Sequence, residues 1–258
     1  MFRKVVIVPI LTMALVMTMI VLAQAAAVVP NVFDSNILPA NDDSSTDLVP
    51  IGFPVNFFSS NYTELYVNNN GNVTFLAPLS TYTPFGLTGD IGTSIIAPFF
   101  ADVDTREGNI VTYGPGTWEG RTAFGVNWIE VGYFSYHIDK LNTFQLVLVD
   151  RSDVSPGDFD IIFNYDQIQW ETGDASDGTD GLGGYSAHVG YSNGTGSIGT
   201  FLELTGSGVN GSFLDGGPRA LRSSTNVGIP GRYIFEVRNG IAPVTHRSLV
   251  YIYLLLLE

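Results

Sequence analysis

Apolar residues from Ile51 onward occur in short runs separated by Gly, Asn, Asp and Pro, which is typical of β-strands joined by turns. The clearest case is residues 65–75, where two apolar runs flank the Asn-rich cluster at 68–72. Because Asn and Gly tolerate positive φ, this stretch predicts a β-hairpin. Residues 143–149 are apolar on both faces and are expected to lie centrally in a sheet. Residues 158–165 alternate, which predicts an antiparallel strand with one solvated side.

Further short runs rich in β-branched and aromatic residues predict more strands. They lie at residues 94–100, 109–113, 122–131, 186–191, 199–204 and 232–237. No stretch shows a convincing 3.6-residue period, so the pattern indicates a sandwich or a barrel. We predict an all-β fold with minor α content, namely an antiparallel β-sandwich of roughly ten strands. Short capping helices are expected near residues 87–94 or 215–224.

The amino-terminal residues 1–27 predict a signal peptide. Arg3 and Lys4 precede the almost wholly apolar stretch 5–22, and residues 23–25 (Ala-Gln-Ala) supply a small-x-small cleavage pattern. The apolar stretch exceeds the usual signal core of about 7–15 residues, so an uncleaved membrane anchor is the alternative. In either case the sequence predicts export from the cytoplasm.

The remainder of the chain divides into three predicted parts. Residues 28–50 are polar and rich in turn formers, which indicates an exposed lead-in. Residues 51–240 carry the strand pattern and form the predicted β domain. Residues 241–258 end in an apolar run that is too short to span a bilayer of about 30 Å as a helix. This tail is open to three interpretations: a last strand, the start of a truncated membrane segment, or a gene-model artefact.

Composition excludes several classes of function. The chain has 11 Lys and Arg against 25 Asp and Glu, a formal net charge of −14, which is unfavourable for binding the phosphates of nucleic acids. It has no Cys, which excludes disulfide frameworks, thiolate catalysis and Cys-ligated zinc. The three His residues lie far apart without a metal-ligand spacing. An acidic surface instead favours a basic or cation-bridged partner.

Asp102 and Asp104 are the first candidates for chemistry, since they follow the apolar run 94–100 directly. Side chains at positions i and i+2 of an extended strand point the same way, so their charges need compensation. In one interpretation, the Asp residues cap a turn and Arg106 compensates their charge. A Ca²⁺ ion is the alternative, because this hard cation takes several oxygen ligands.

A second acidic stretch is the Gly-rich loop 171–184, which contains Asp174, Asp177 and Asp180. The EF-hand pattern fails here because the loop has no Glu at the required distance. The composition indicates a flexible, acidic surface loop, with a weak calcium or partner-contact site as the alternative.

An enzymatic or sugar-binding function is the rival interpretation. Glycoside hydrolysis needs two carboxyl groups that are not required to be neighbours in the chain, and Glu130 and Glu203 are candidates beside the Asp102–Asp104 pair. Trp118, Trp128 and Trp170 would be the sugar platforms, although aromatic side chains more often pack in cores.

Four Asn-X-Ser/Thr sequons are present. They begin at Asn61, Asn72, Asn193 and Asn210, and the same residue types are also ordinary turn formers.

Several stretches together resemble the nidogen-like (NIDO) domain family of nidogens, tectorins and membrane mucins. The carriers of the resemblance are LYVNNNGNVTF at 65–75, IAPFFADVDTR at 96–106, TFQLVL at 143–148, FDIIFNY at 159–165, IQWETG at 168–173, AHVGY at 187–191 and PGRYIFEV at 230–237. They occur in family order over most of the chain.

The resemblance implies an extracellular, non-catalytic β module associated with cell–matrix adhesion, and it brings no catalytic residues. We therefore expect a secreted or cell-surface adhesion module whose partner is a matrix or surface protein or glycan. Membrane attachment is expected only if the amino-terminal segment is uncleaved or the carboxyl end is truncated. The alternative is a carbohydrate-binding protein or a glycoside hydrolase using a carboxylate pair.

Overall fold

Nearly all the regular secondary structure within residues 26–244 is β-strand, as predicted. The structure, a computed structural model, describes residues 26–244. In chain order the strands are β1 (Asn36–Ile37), β2 (Val49–Phe57), β3 (Ser60–Asn68), β4 (Asn72–Thr74), β5 (Ile95–Phe100), β6 (Val103–Asp104), β7 (Thr112–Trp118), β8 (Arg121–Tyr133), β9 (His137–Asp150), β10 (Phe159–Gln167), β11 (His188–Ser192), β12 (Phe201–Glu203) and β13 (Arg232–Val237).

The short helices expected at residues 87–94 and 215–224 are not formed, and both segments are turns. Gly92 and Gly216 have φ angles of +68° and +83°, a left-handed conformation that no α-helix contains. The helical structure within residues 26–244 is a single 3₁₀ turn at Asp174–Ser176. The prediction of capping helices was therefore wrong.

The strands form two sheets in which every pair is antiparallel. The larger sheet has the order β1-β7-β8-β9-β10-β13, with β6 paired to β8, and the smaller sheet has the order β12-β11-β5-β4-β3-β2. The central position predicted for residues 143–149 is confirmed, since β9 lies between β8 and β10. The hairpin predicted at residues 65–75 is confirmed as β3 and β4, which pair through Tyr66–Thr74 and Asn68–Asn72.

The main core lies between the sheets and is rich in aromatic rings. Phe99 of the smaller sheet meets Phe144 and Trp170 with ring centroids 5.3 and 5.8 Å apart. Phe144 also stacks on Trp128 at 5.1 Å. Both indole nitrogens donate to backbone carbonyls, so these large side chains bury apolar area without leaving a polar group unpaired.

A second, smaller core covers the outer face of the larger sheet, and it corrects the expectation that β10 has a solvated side. Every residue from Phe159 to Tyr165 is buried. The cover is residues 27–33, here called the N-terminal strap, which runs across the sheet. Gln145 donates to Val29 O at 3.1 Å and accepts from Asn164 at 2.9 Å, so the polar face is paired under the strap.

The strap is anchored by Phe33, which is 2% exposed and lies flat on the strands beneath it. Its ring lies where Cβ atoms would be at Gly116 and Gly125, so only glycine permits this contact. The segment predicted to be an exposed lead-in is thus partly a structural element. Farther along, Leu38 is also buried, and β1 pairs with β7.

Strand β2 was not predicted, although its residues alternate in burial. Ile51, Phe53, Val55 and Phe57 point into the core, while Pro50 and Pro54 break the apparent strand pattern. Proline lacks an N–H and is tolerated at a sheet edge, which is where β2 lies.

The predicted signal sequence and the apolar tail fall almost wholly outside the described residues. The signal prediction concerns residues 1–27, of which 26 and 27 are described, and the tail is described only to residue 244. Within the described range, the structure has no helix long and apolar enough for a membrane crossing.

Candidate functional site

The Asn-rich turn between β3 and β4 is the framework of the candidate site. Asn69 donates its side-chain amide to Asp42 O at 2.5 Å and to Val103 O at 2.6 Å. Asn70 donates to Asp43 Oδ1 at 2.8 Å and accepts from Val103 N at 2.9 Å. Both Asn side chains are buried. The turn therefore ties the loop at 41–45 to the segment that follows β5.

Asp102 lies in that segment and is 1% exposed. Both of its carboxylate oxygens are buried without a hydrogen-bond partner among residues 26–244. Burial, followed by the charges of Asp42, Asp43 and Asp104, raises the pKa of Asp102 to about 7. The nearby Ser176 hydroxyl acts in the opposite direction and lowers the pKa of Asp102, but it is the smallest of these influences. Its hydrogen bonds go to Tyr82 O at 3.5 Å and to the Thr83 hydroxyl at 3.2 Å.

Asp104 has the opposite environment, although it is only two residues away. Arg106 donates Nε to Asp104 Oδ1 at 2.9 Å and Nη2 to Oδ2 at 2.5 Å, and Tyr136 N donates to Oδ2 at 2.9 Å. Burial acts to raise the pKa of Asp104, but the Arg106 hydrogen bonds outweigh it and hold that pKa below its usual value. The structure therefore assigns Asp104 to the predicted partner Arg106 and leaves Asp102 without such a partner.

The neighbours of Asp102 are two carboxylates that the sequence analysis did not single out. Asp42, Asp43 and Asp102 each place one carboxylate oxygen within 4.8 Å of the others. Asp42 Oδ2 is 3.2 Å from Arg106 Nη2, while Asp42 Oδ1 is buried and unpaired within the described part of the chain. Burial is the largest influence on both side chains, raising the pKa of Asp42 to about 6 and also raising that of Asp43. We call these three residues the Asp triad.

The Asp triad is a set of oxygen donors that suits a hard divalent cation. The signal for it in the sequence is the run Asn41-Asp42-Asp43-Ser44-Ser45, which lies in the segment predicted to be an exposed lead-in. Its position next to Asp102 depends on long-range hydrogen bonds from the Asn-rich turn.

The structure does not gather the other predicted metal ligands. Asp174, Asp177 and Asp180 are exposed along their loop. Asp174 Oδ2 is 3.1 Å from His137 Nε2, and Lys140 donates to the backbone carbonyl of Asp180 at 2.8 Å. This loop offers an acidic surface, and a calcium site within it stays a prediction.

The tryptophans predicted as sugar platforms are buried. Trp128 and Trp170 are completely covered in the core, and Trp118 is 8% exposed under the Arg232 guanidinium, which lies 4.6 Å from its ring centre. A sugar platform needs an accessible ring face, so these residues belong to the packing. The prediction that they could bind sugar was wrong.

Comparisons with known proteins point to one family. A model described as "Nidogen-like domain" matches residues 63–120 and 109–239. Human alpha-tectorin is 33% identical over 228 residues, which cover 77% of this chain and 10% of that protein. Nidogen of Drosophila melanogaster is 30% identical over 230 residues, covering 78% of this chain and 16% of that protein. No protein of known structure matches.

The chain thus spans between a tenth and about a sixth of the length of these relatives. Alpha-tectorin and nidogen are extracellular matrix proteins, and this chain is likewise extracellular. The localisation predicted from the sequence is confirmed.

Proposed function

This chain belongs to the nidogen-like domain family, and from that premise we propose that it is a non-catalytic module for cell–matrix adhesion. The observation that carries the proposal is the family match, which extends through the sandwich from residue 63 to residue 239. The family resemblance predicted from the sequence is confirmed. The partner in this proposal is a protein or a glycan of the extracellular matrix or of a cell surface.

The rigid scaffold supports a binding role. Two sheets with a continuous aromatic core hold the loops in fixed positions, and recognition in such folds is commonly carried by loops. The tryptophans on which the carbohydrate-active alternative relied are part of the core, so no observation favours that alternative over adhesion.

We assign the contact surface to the acidic loop of Asp174, Asp177 and Asp180. All three carboxylates are exposed, and the chain carries a formal net charge of −14. Complementary charge mainly increases the rate of association and the specificity of an encounter, so the matching partner surface is basic.

The test is a solid-phase adhesion assay on immobilised matrix extract with the triple variant Asp174→Asn/Asp177→Asn/Asp180→Asn. We expect binding to fall several-fold at low salt and to lose most of its salt dependence, because three charges have been removed from the contact. A matched control is Asp47→Asn/Glu64→Gln/Glu119→Gln, which removes three exposed charges elsewhere.

The control variant is expected to bind like the original protein. Equal binding by the two triple variants would remove the acidic loop from the contact. Turnover of a glycoside or another substrate by the purified protein would overturn the non-catalytic assignment itself.

A further inference from the structure

We propose that the Asp triad, Asp42, Asp43 and Asp102, is a Ca²⁺-binding site that fastens the loop at 41–45 to the rim of the sandwich. This inference concerns the architecture of the chain and does not depend on the identity of an adhesion partner.

The first support is the spacing of the donors. One carboxylate oxygen from each residue lies within 4.8 Å of the other two. Calcium takes oxygen ligands at about 2.3–2.6 Å, so two ligands of one ion are at most about 5 Å apart. This pairwise spacing therefore fits three oxygens that share one ion.

The second support is the unpaired state of a buried charge, which the spacing alone does not explain. Asp102 is 1% exposed, and neither of its oxygens has a hydrogen-bond partner in the described part of the chain. A buried carboxylate without partners is costly, and such groups are usually paired, protonated or bound to a metal. Asp42 Oδ1, in the same cluster, is buried and unpaired as well.

The surrounding residues hold these oxygens in place. Asn70 donates to Asp43 Oδ1 and orients that carboxylate from the hairpin. Asn69 donates to the backbone carbonyl of Asp42 and so holds the main chain of the loop. On the other side, Gly173 approaches so closely that a Cβ there would lie 2.4 Å from Asp102 Oδ2. Metal sites are typically supported by hydrogen bonds of this kind to the ligands.

Calcium fits better than magnesium for two reasons. The donors are all carboxylates, and their oxygens lie within 4.8 Å of one another. Mg²⁺ needs its oxygens at about 2.0–2.1 Å from the ion in a near-ideal octahedron, and therefore a tighter cluster. Calcium also tolerates irregular geometry and completes its shell with water or carbonyl oxygens.

The experiment measures thermal unfolding and isothermal titration calorimetry of the purified protein with CaCl₂, with MgCl₂ and with EDTA. For a dissociation constant of about 10⁻⁴ M, typical of extracellular modules, 5 mM Ca²⁺ raises the folded-to-unfolded ratio about 50-fold. We expect Tm to rise by several degrees with calcium and by much less with magnesium.

Asp102→Asn is expected to abolish the calcium response. In EDTA this variant should be at least as stable as the original protein, because an uncharged amide of the same shape replaces a buried carboxylate that has no hydrogen-bond partner in the described residues. Asp43→Asn, at a less buried position, should weaken calcium binding at least tenfold while keeping the hydrogen bond from Asn70. Glu64→Gln is the matched control, since it removes one exposed charge on β3, from a residue that belongs neither to the Asp triad nor to the acidic loop.

The control is expected to respond to calcium as the original protein does. The proposal is overturned if the original protein shows neither heat nor a Tm shift with calcium. It is also overturned if Asp102→Asn and Asp43→Asn retain the full response, or if Glu64→Gln alone loses it.

Discussion

Replacing Gly125 by Ala tests whether the N-terminal strap is seated on the larger sheet. A Cβ at Gly125 would lie 2.3 Å from Cγ and 2.4 Å from Cδ2 of Phe33, far inside the optimal carbon–carbon separation of about 3.5–4.0 Å. Overpacking of this kind costs about 1–3 kcal/mol. Replacing Gly within a strand otherwise gains about 0.5–1 kcal/mol. We expect a net loss of about 1–2 kcal/mol in the free energy of unfolding.

The sign of this effect should depend on Phe33. In a Phe33→Ala background the ring is gone, so Gly125→Ala should be neutral or stabilising by about 0.5 kcal/mol. The Phe33→Ala change alone should cost about 3 kcal/mol. The resulting coupling of about 2 kcal/mol exceeds the deviation of about 0.5 kcal/mol seen for independent sites. Urea unfolding followed by the fluorescence of the buried tryptophans measures all four corners of the cycle.

Gly89→Ala is the control, since a Cβ at that position meets nothing within 4 Å. It should change stability by less than about 0.5 kcal/mol. If Gly125→Ala costs the same with and without the Phe33 ring, the strap does not lie where the structure places it and the reasoning fails.

Three other outcomes are expected. In a eukaryotic secretory host, peptide mapping should find a glycan at the exposed Asn61 but none at Asn72, which is completely buried and hydrogen-bonded. A glycan at Asn72 of the folded protein would contradict this burial. Burial raises the pKa of Glu171, so its contribution to stability is present below the unfolded pKa and is lost as pH rises through the folded pKa. Urea titrations at pH 4 and 7 should therefore show stability falling relative to Glu171→Gln, and equal pH slopes would exclude the effect. Trp170→Phe deprives Val131 O of its indole donor and should cost about 1–3 kcal/mol in the same assay.

The strands that the sequence predicted are those whose signal is local. The hairpin at 65–75 and the central strand at 143–149 are encoded by turn residues and apolar runs that need no distant partner. Strand β2 was missed because Pro50 and Pro54 interrupt its alternation, and only its position at the sheet edge makes them acceptable. The prediction of a solvated face on β10 was wrong for a related reason, because the strap that covers this face lies more than 100 residues away in the chain.

The candidate site likewise combines a local feature that could be predicted from the sequence with a long-range feature that could not. Arg106 was recognised as a partner for the Asp102–Asp104 pair because it is a near neighbour, and the structure gives it to Asp104. Asp42 and Asp43 could not be predicted beside Asp102, because a polar run in a turn-rich segment has the same composition whether it is exposed or docked. Their docking depends on the buried amides of the Asn-rich turn, whose hydrogen bonds connect residues 27 to 34 positions apart.

The two prolines of β2 have a consequence for how copies of this domain meet one another. A strand that joins an open sheet margin must exchange main-chain hydrogen bonds with it, and Pro50 and Pro54 have no N–H to contribute. That margin is therefore a poor template for fibrous self-assembly, even where many copies are crowded on one surface.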